Sequence, residues 1–237
     1  MTTDEYTTSG SWDAEYQRGR YHAEPPVAMT DDIIREARAR EIDSGLYIGC
    51  GNGRNYVPLR AAGLDLTGLD VSAVALDQLR RRLANLPTDR LVQGTVNHLP
   101  CQAQFPLVIG IQVFQHGRRA QCHAHVTAAT DRVAPGGLFC VRVNAVGTDL
   151  YPAHDIVECN EDDGLTIRYT AGPKAGLDIH FFTRAELEQV VPANFVPVHE
   201  LRQVTEHRQP PAPGKWSQWE GMWVRPPDKH LIPAPST

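Results

Sequence analysis

The chain of 237 residues is poor in several things that mark particular protein classes. Aromatic residues make up only 7% of it, which with 22% charged residues describes a soluble globular chain. No uninterrupted apolar stretch approaches the length of a membrane span, and the amino terminus is polar without the apolar segment of an export signal. Basic excess is also missing: 23 Lys+Arg stand against 28 Asp+Glu, a formal net charge of −5, which disfavours a phosphate-tracking nucleic-acid surface. The cysteines number five, an odd count, and none forms a C-x-x-C pair. That usage suits reduced thiols in a cytoplasmic protein.

What is present is a chain long enough to bury one full core, with 41% hydrophobic residues. From Gly45 to Arg142 short apolar runs alternate with amphipathic stretches, the pattern of a parallel sheet with crossover helices. The strands expected are Gly45–Cys50, Leu66–Asp70, Arg90–Gln93, Pro106–Gln112 and Leu138–Val143. Helices are expected over Arg54–Ala62, Ser72–Leu86 and Arg118–Val133, with a further one upstream at Asp31–Glu41. Residues 145–176 lack periodicity and read as a long irregular insertion, a lid between strand five and the segment Asp178–Phe182. Thr183 and Glu186 form a capping box that opens a helix to about Val191. Two closing strands are expected at Phe195–Leu201 and Lys215–Val224, around a Pro-rich linker at 209–214. The whole reads as a single domain: a cap segment 1–42, a core 43–144, the lid 145–177 and the closing elements 178–237.

The strongest chemical signal is Gly49-Cys50-Gly51-Asn52-Gly53, directly after an apolar strand and before a helix. Alternate glycines permit a tight turn with positive φ and let backbone N–H groups approach a ligand. Asp70 ends the next strand, where a carboxylate can accept hydrogen bonds from both ribose hydroxyls of a nucleoside cofactor. A dinucleotide fold expects G-x-G-x-x-G; here the spacing is G-x-G-x-G, with Arg54 and Asn55 following.

The ordered segments LYIGCGNGRN, LTGLDVS, LVQGTVNHLP, FPLVIGIQVFQHG and APGGLFCVRVN resemble the motifs of class I S-adenosylmethionine-dependent methyltransferases, small-molecule type, over about residues 45–144. Trp12, Tyr16 and Tyr21 resemble an N-terminal segment that closes over the cofactor in some small members. The resemblance implies a Rossmann-like three-layer α/β sandwich, its seven strands in the order 3-2-1-4-5-7-6 with the last antiparallel. It implies that Gly49, Cys50, Gly51, Asn52, Gly53 and Asn55 surround the methionine moiety, that Asp70 holds the ribose, and that Val71, Thr95 and Val96 meet the adenine. Two departures stand out. Thr95 occupies a place where many relatives use Asp, and Tyr47 stands where they carry an acid on the first strand. Tyr47 either replaces that acid, together with Tyr16 or the Gln112 region, or packs as a strand residue against the upstream helix.

Methyl transfer needs positioning more than acid chemistry, so acceptor residues are sought beyond the carboxyl ends of strands four and five. His116 is the candidate general base, with a turn-capping role as the alternative. Tyr16, Tyr21, Asn144, Tyr151, Arg168, Lys174 and His180 complete the acceptor candidates, and Arg168 and Lys174 favour an anionic or neutral acceptor over a cationic one. Cys122, His123 and His125 lack further ligands at finger-like spacing, so no metal is expected. Trp216, Trp219 and Trp223 can form an aromatic cage or pack in a core, with Trp219 and Trp223 on one strand face. The expected activity is methyl transfer to an O or N of a small molecule, without nucleic-acid or membrane partners. A cofactor-binding domain without turnover and a dinucleotide-dependent oxidoreductase are the alternatives.

Overall fold

The computed structural model describes residues 3–19, 21, 24–150, 153–160, 164–172, 174–209 and 213–228. Two helices, α1 (Thr3–Gln17) and α2 (Met29–Ala39), precede β1 (Ser44–Ile48). There follow α3 (Tyr56–Ala61), β2 (Asp65–Asp70), α4 (Ala73–Arg82), β3 (Leu91–Gln93), β4 (Phe105–Ile111), α5 (Arg119–Thr130) and β5 (Val133–Asn144). Every expected core element is present, with ends displaced by a few residues. The largest displacement is in β5, which begins five residues early and carries the Ala-Pro-Gly-Gly turn as its first part.

The main sheet runs β3-β2-β1-β4-β5, all parallel, and continues through β11 (Lys215–Val224) to β10 (Arg202–His207), with β11 antiparallel to both neighbours. This is the order expected, with one addition: the two-residue strand β9 (Val196–Pro197) also pairs with β11. Alternation along the strands sends side chains to opposite faces, and both faces are covered. Leu46, Ile48, Val108, Phe139 and Val141 meet α5 residues Cys122 and Val126 together with Leu187 and Val191 on one side. Tyr47, Leu107, Ile109 and Cys140 meet Met29, Ile33, Tyr56, Leu59, Leu76 and Leu79 on the other. The result is a Rossmann-like three-layer sandwich.

Two expectations need correction. Residues 145–176 are not irregular: β6 (His154–Asn160) and β7 (Gly164–Tyr169) pair antiparallel, and β7 pairs with β8 (Asp178–Phe181) in a separate three-stranded sheet. Phe195–Leu201 is not a full strand either. Pro197 has no N–H to give a ladder, pairing stops after two residues, and the long edge strand is the polar β10 instead. The Thr183 capping box opens α6 (Arg184–Val190) as expected, with the Thr183 hydroxyl accepting from Glu186 N–H at 3.1 Å.

The small sheet is attached at the carboxyl end of the main one. Phe182 N–H donates to Asn144 O at 2.9 Å and Val146 N–H to Phe182 O at 3.0 Å. His180 N–H donates to Gln115 O, and Gly117 N–H to Asp178 O, so β8 also holds the turn after β4.

Candidate active site

The loop after β1 is an extension of the sheet before it becomes a turn: Gly49 and Cys50 both donate their N–H to Leu69 O. Gly49, Gly51 and Gly53 have φ of +68°, +56° and +94°, a region that L side chains enter only at a cost. Close packing adds a second reason for glycine. A Cβ on Gly49 would meet Val113 at 2.6 Å, and one on Gly51 would meet the Tyr16 hydroxyl at 2.5 Å.

Asp70 lies under this loop. One carboxylate oxygen accepts from Gly51 N–H at 2.8 Å and the other from Ser72 N–H at 2.9 Å. Burial nevertheless prevails over these bonds and pushes the Asp70 carboxyl up to about 6, with the nearby Asp13 adding to the effect. A carboxylate can accept about four hydrogen bonds. The Val71 N–H also bonds this carboxylate, so three donors leave room on Asp70 for a hydroxyl donor of a ligand, and such a donor would relieve the charge. The residues present fit a ribose-bearing cofactor.

Helix α1 covers the crevice. The Ser72 hydroxyl donates to Asp13 Oδ1 at 2.5 Å, Val74 N–H donates to the same oxygen at 3.2 Å, and Gln78 Nε2 donates to Tyr16 O. Tyr16 is buried against Gly51, with the Tyr21 ring 5.9 Å away. Burial first, then the charge of Asp70, holds the Tyr16 hydroxyl well above its ordinary value.

At the carboxyl end of β4, Gln112 takes a positive φ of +57° and the chain turns back on itself. His116 Nε2 donates to Gln112 O at 3.1 Å, the only role a ring nitrogen can take toward a carbonyl, so Nε2 carries the proton and Nδ1 the lone pair. Among the described residues Nδ1 is enclosed and meets no hydrogen-bond partner. Among the described residues the side-chain oxygen of Gln115, its neighbour in sequence, is likewise buried without a partner. Trp12 from α1 stands edge-on to the His116 ring at 4.7 Å. Burial first, then the Lys174 charge, lowers His116 to about 3, so the imidazole is neutral over the working range.

The remaining candidates divide. Cys50 is buried, and burial pushes its thiol well above the ordinary value. Asn52 is buried, with Nδ2 donating to Gln78 Oε1 at 3.2 Å. Asn55 faces away from the loop, donating to the Tyr47 hydroxyl while its oxygen accepts from Val27 N–H and Thr30. Tyr47 thus packs in the core next to α2 and at the same time ties the loop to the segment that opens this helix. Val71 and Thr95 lie at the ends of β2 and β3, with Val96 buried nearby. Thr95 caps a short turn in which its N–H donates to His98 Nδ1. Asn144 ends β5. Arg168 is engaged in a two-point pair with Asp178 at 2.7 and 2.8 Å. Tyr151 lies outside the described residues.

His180 does not face open space. Its Nδ1 meets Thr166 at 2.8 Å and its Nε2 meets the Glu186 carboxylate at 2.9 Å, fully buried. His123 Nε2 reaches the same carboxylate at 2.7 Å, and Arg119 donates to it at 3.0 Å. His123, His180 and Glu186 lie close enough to share one cation, but the guanidinium already neutralises the carboxylate. Sequence reading saw Glu186 only as a capping residue; nothing in its spacing pointed to a partner 63 positions away. The signal for Gln115 was better, since it adjoins His116 in the turn. Trp219 and Trp223 are buried in the core and Trp216 is half exposed with Arg208 over its ring, so the three form no cage.

Residues 46–137 match the family model of a methyltransferase domain. The whole fold is shared with solved structures at low identity. The magnesium protoporphyrin IX methyltransferase of Synechocystis, solved with bound S-adenosylmethionine, is 12% identical, with a TM-score of 0.64 over 95% of this chain and 98% of that one. The 1,6-didemethyltoxoflavin N1-methyltransferase of Burkholderia thailandensis is 18% identical, with a TM-score of 0.60 over 95% and 91%. A sugar N-methyltransferase of a Streptoalloteichus species is 20% identical, with a TM-score of 0.58 over 89% and 91%. No curated protein sequence matches the chain. The fold and its glycine loop define the class, a Rossmann-like α/β domain. Within it, the stretch that matches the methyltransferase family model, residues 46–137, holds both the glycine loop and Asp70. Among the described residues no helix is long and apolar enough to cross a membrane.

Proposed function

We propose that this enzyme methylates an oxygen or nitrogen of a small molecule, with His116 as its general base. The enclosed, unpartnered Nδ1 of His116 at the carboxyl end of β4 carries the reading. A neutral imidazole whose Nε2–H is fixed by a carbonyl presents its lone pair in one direction; at about 3 in the ligand-free protein it is a weak base, and it takes a proton once a bound acceptor that gains negative charge raises it. The three structural relatives named above act, by their names, on magnesium protoporphyrin IX, 1,6-didemethyltoxoflavin and a sugar. A small acceptor also suits a site bounded by α1, the turn after β4 and the small sheet.

In this assignment Asp70 holds the ribose hydroxyls, Gly49, Gly51 and Gly53 give the methionine moiety a close backbone, and Val71, Val96 and Thr95 meet the adenine. The cofactor supplies an activated methyl group; the chain supplies position, exclusion of water by Trp12 and Tyr16, and a proton acceptor. Calorimetric titration with S-adenosylhomocysteine tests the cofactor half. Asp70→Ala should weaken binding by about 1.5–3 kcal/mol, the range for hydrogen bonds to a charged group, and unchanged affinity would overturn the ribose assignment. His116→Gln should lower turnover far more than cofactor affinity. Equal losses in both would return His116 to the turn-capping role.

A further inference from the structure

Three side chains from separate elements converge between the small sheet and the main domain. His123 comes from α5, His180 from β8 and Glu186 from the first turn of α6. Glu186 Oε1 lies 2.7 Å from His123 Nε2 and 2.9 Å from His180 Nε2, and the three ligand-type atoms sit within 4.8 Å of one another. Proton placement decides what His180 offers. Glu158 is a carboxylate: burial acts to raise it, but the bonds from Arg119 N–H and the Thr166 hydroxyl outweigh that and hold it below its ordinary value. It can only accept, so the Thr166 hydroxyl gives its one proton to Glu158 Oε2 at 2.7 Å. Toward His180 that hydroxyl is an acceptor, and Nδ1 at 2.8 Å carries the ring proton. On a neutral imidazole the Nε2 lone pair then points at the Glu186 carboxylate, lone pair against lone pair. A cation between them removes the repulsion.

We propose that His123, His180 and Glu186 bind one zinc ion, with water as the fourth ligand, and that the ion cross-links α5, β8 and α6. The site goes beyond the methyl-transfer reading and does not depend on it. Two imidazoles and a carboxylate are the donor set of a borderline divalent ion, and zinc takes three protein ligands in a tetrahedron with one open place. A proton serves one nitrogen at a time, whereas both imidazoles address the same oxygen.

Ligand atoms about 2.1 Å from a tetrahedral ion stand about 3.4 Å apart, so the observed gaps must widen by about half an ångström. His123 allows this, because its side chain is 26% exposed while His180 and Glu186 are buried. The same opening admits the ion and the water. The outer contacts are in place: Glu158 orients His180 Nδ1–H through Thr166, and Glu186 Oε2 accepts from Thr183 N–H. Cys122 takes no part, since its thiol donates to Gly117 O. One residue works against the ion. Arg119 Nε donates to Glu186 Oε1 at 3.0 Å, and its positive charge competes for the same carboxylate. Finger-like spacing points to none of this, because the ligands lie up to 63 positions apart.

The test is titration of the 237-residue chain, stripped with a chelator and dialysed, with zinc chloride, and with cobalt(II) chloride as a coloured stand-in. The protein should bind one equivalent, and cobalt should develop the visible absorption of a four-coordinate ion. Tm should rise by about 5–10 °C at free zinc about a hundredfold above Kd. His123→Ala should weaken zinc binding by more than about 100-fold, and Thr166→Val by about 10–100-fold through loss of the orienting partner. Arg119→Met should tighten it about tenfold, which a hydrogen-bonded network without an ion has no reason to show. His125→Ala, on the same helix but outside the set, should bind as wild type. No bound equivalent in wild type or Arg119→Met overturns the proposal. So does a zinc affinity unchanged in both His123→Ala and Thr166→Val, the mark of an ion held by surface histidines. Affinity for S-adenosylhomocysteine is read separately and bears only on the cofactor assignment.

Discussion

Asp70 is a residue whose suitability for a ligand works against the fold that holds it. The unfolded chain has an aspartate titrating near 3.9, and burial in the ligand-free protein lifts it to about 6. An acid with a raised folded value keeps a proton that the unfolded chain has already released. The stability it contributes is therefore present below about pH 4 and lost as pH rises through about 6, up to about 3 kcal/mol. Asp70→Asn cannot titrate, so its stability relative to wild type should improve steadily across that window. Urea unfolding of both proteins at several pH values reads the difference directly. A pH-independent difference would mean that the carboxylate is well solvated. The same residue was legible in the sequence because its requirement is local: a strand must end where the glycine loop can reach it. Tyr47 was half legible. Its apolar position on β1 implied packing, but its hydroxyl bond to Asn55 depends on how α3 returns toward α2.

At the scale of elements, the docking of α1 on the glycine loop makes a sharper demand than sequence pattern reveals. Tyr16 occupies the space that a Cβ on Gly51 would need, and Gly51 also has positive φ. Gly51→Ala should then cost about 1–3 kcal/mol, from backbone strain and from displacing the ring. The ring component is separable. With Tyr16→Phe the nearest remaining ring atom is 3.4 Å from the added carbon, so the double variant should be more stable than the two single losses predict. Strict additivity in thermal unfolding would show that α1 is not seated on the loop in solution. The elements missed from sequence were missed for physical reasons of the same kind. β6 has a register shift between Ile156 and Glu158, which breaks the alternation that marks a strand, and Ile156 points to solvent. β10 is an exposed edge strand of sequence RQVTEH, polar on both faces, while the apolar run before it contains Pro197.

Across the whole molecule, a chain of charges joins parts that sequence distance keeps apart. Asp32 on α2 pairs with Arg202 on β10, Arg202 with Glu220 on β11, Glu220 with Arg142 on β5, and Arg142 with Glu206 on β10. Its centre is dry: Arg142 and Glu220 are buried partners in register across the antiparallel pair, while Glu206 is more than half exposed. Position therefore decides what each charge is worth. Removing Glu220 leaves a buried guanidinium with only a solvated partner, so Glu220→Ala should cost about 3–5 kcal/mol. Glu206→Ala removes an exposed partner and should cost less than about 1 kcal/mol. Salt should weaken the second effect and barely alter the first, because mobile ions screen exposed charges and do not reach the buried pair. Guanidinium unfolding confounds this comparison with its own ionic strength, so urea with and without added sodium chloride is the measurement. Equal costs for the two variants would mean that water reaches Arg142 and that β11 is held to β5 by its apolar face alone. Because β5 separates β11 from β4, the folded Glu220→Ala protein should keep its affinity for S-adenosylhomocysteine, which isolates the sheet's lateral cohesion from the chemistry at its carboxyl end.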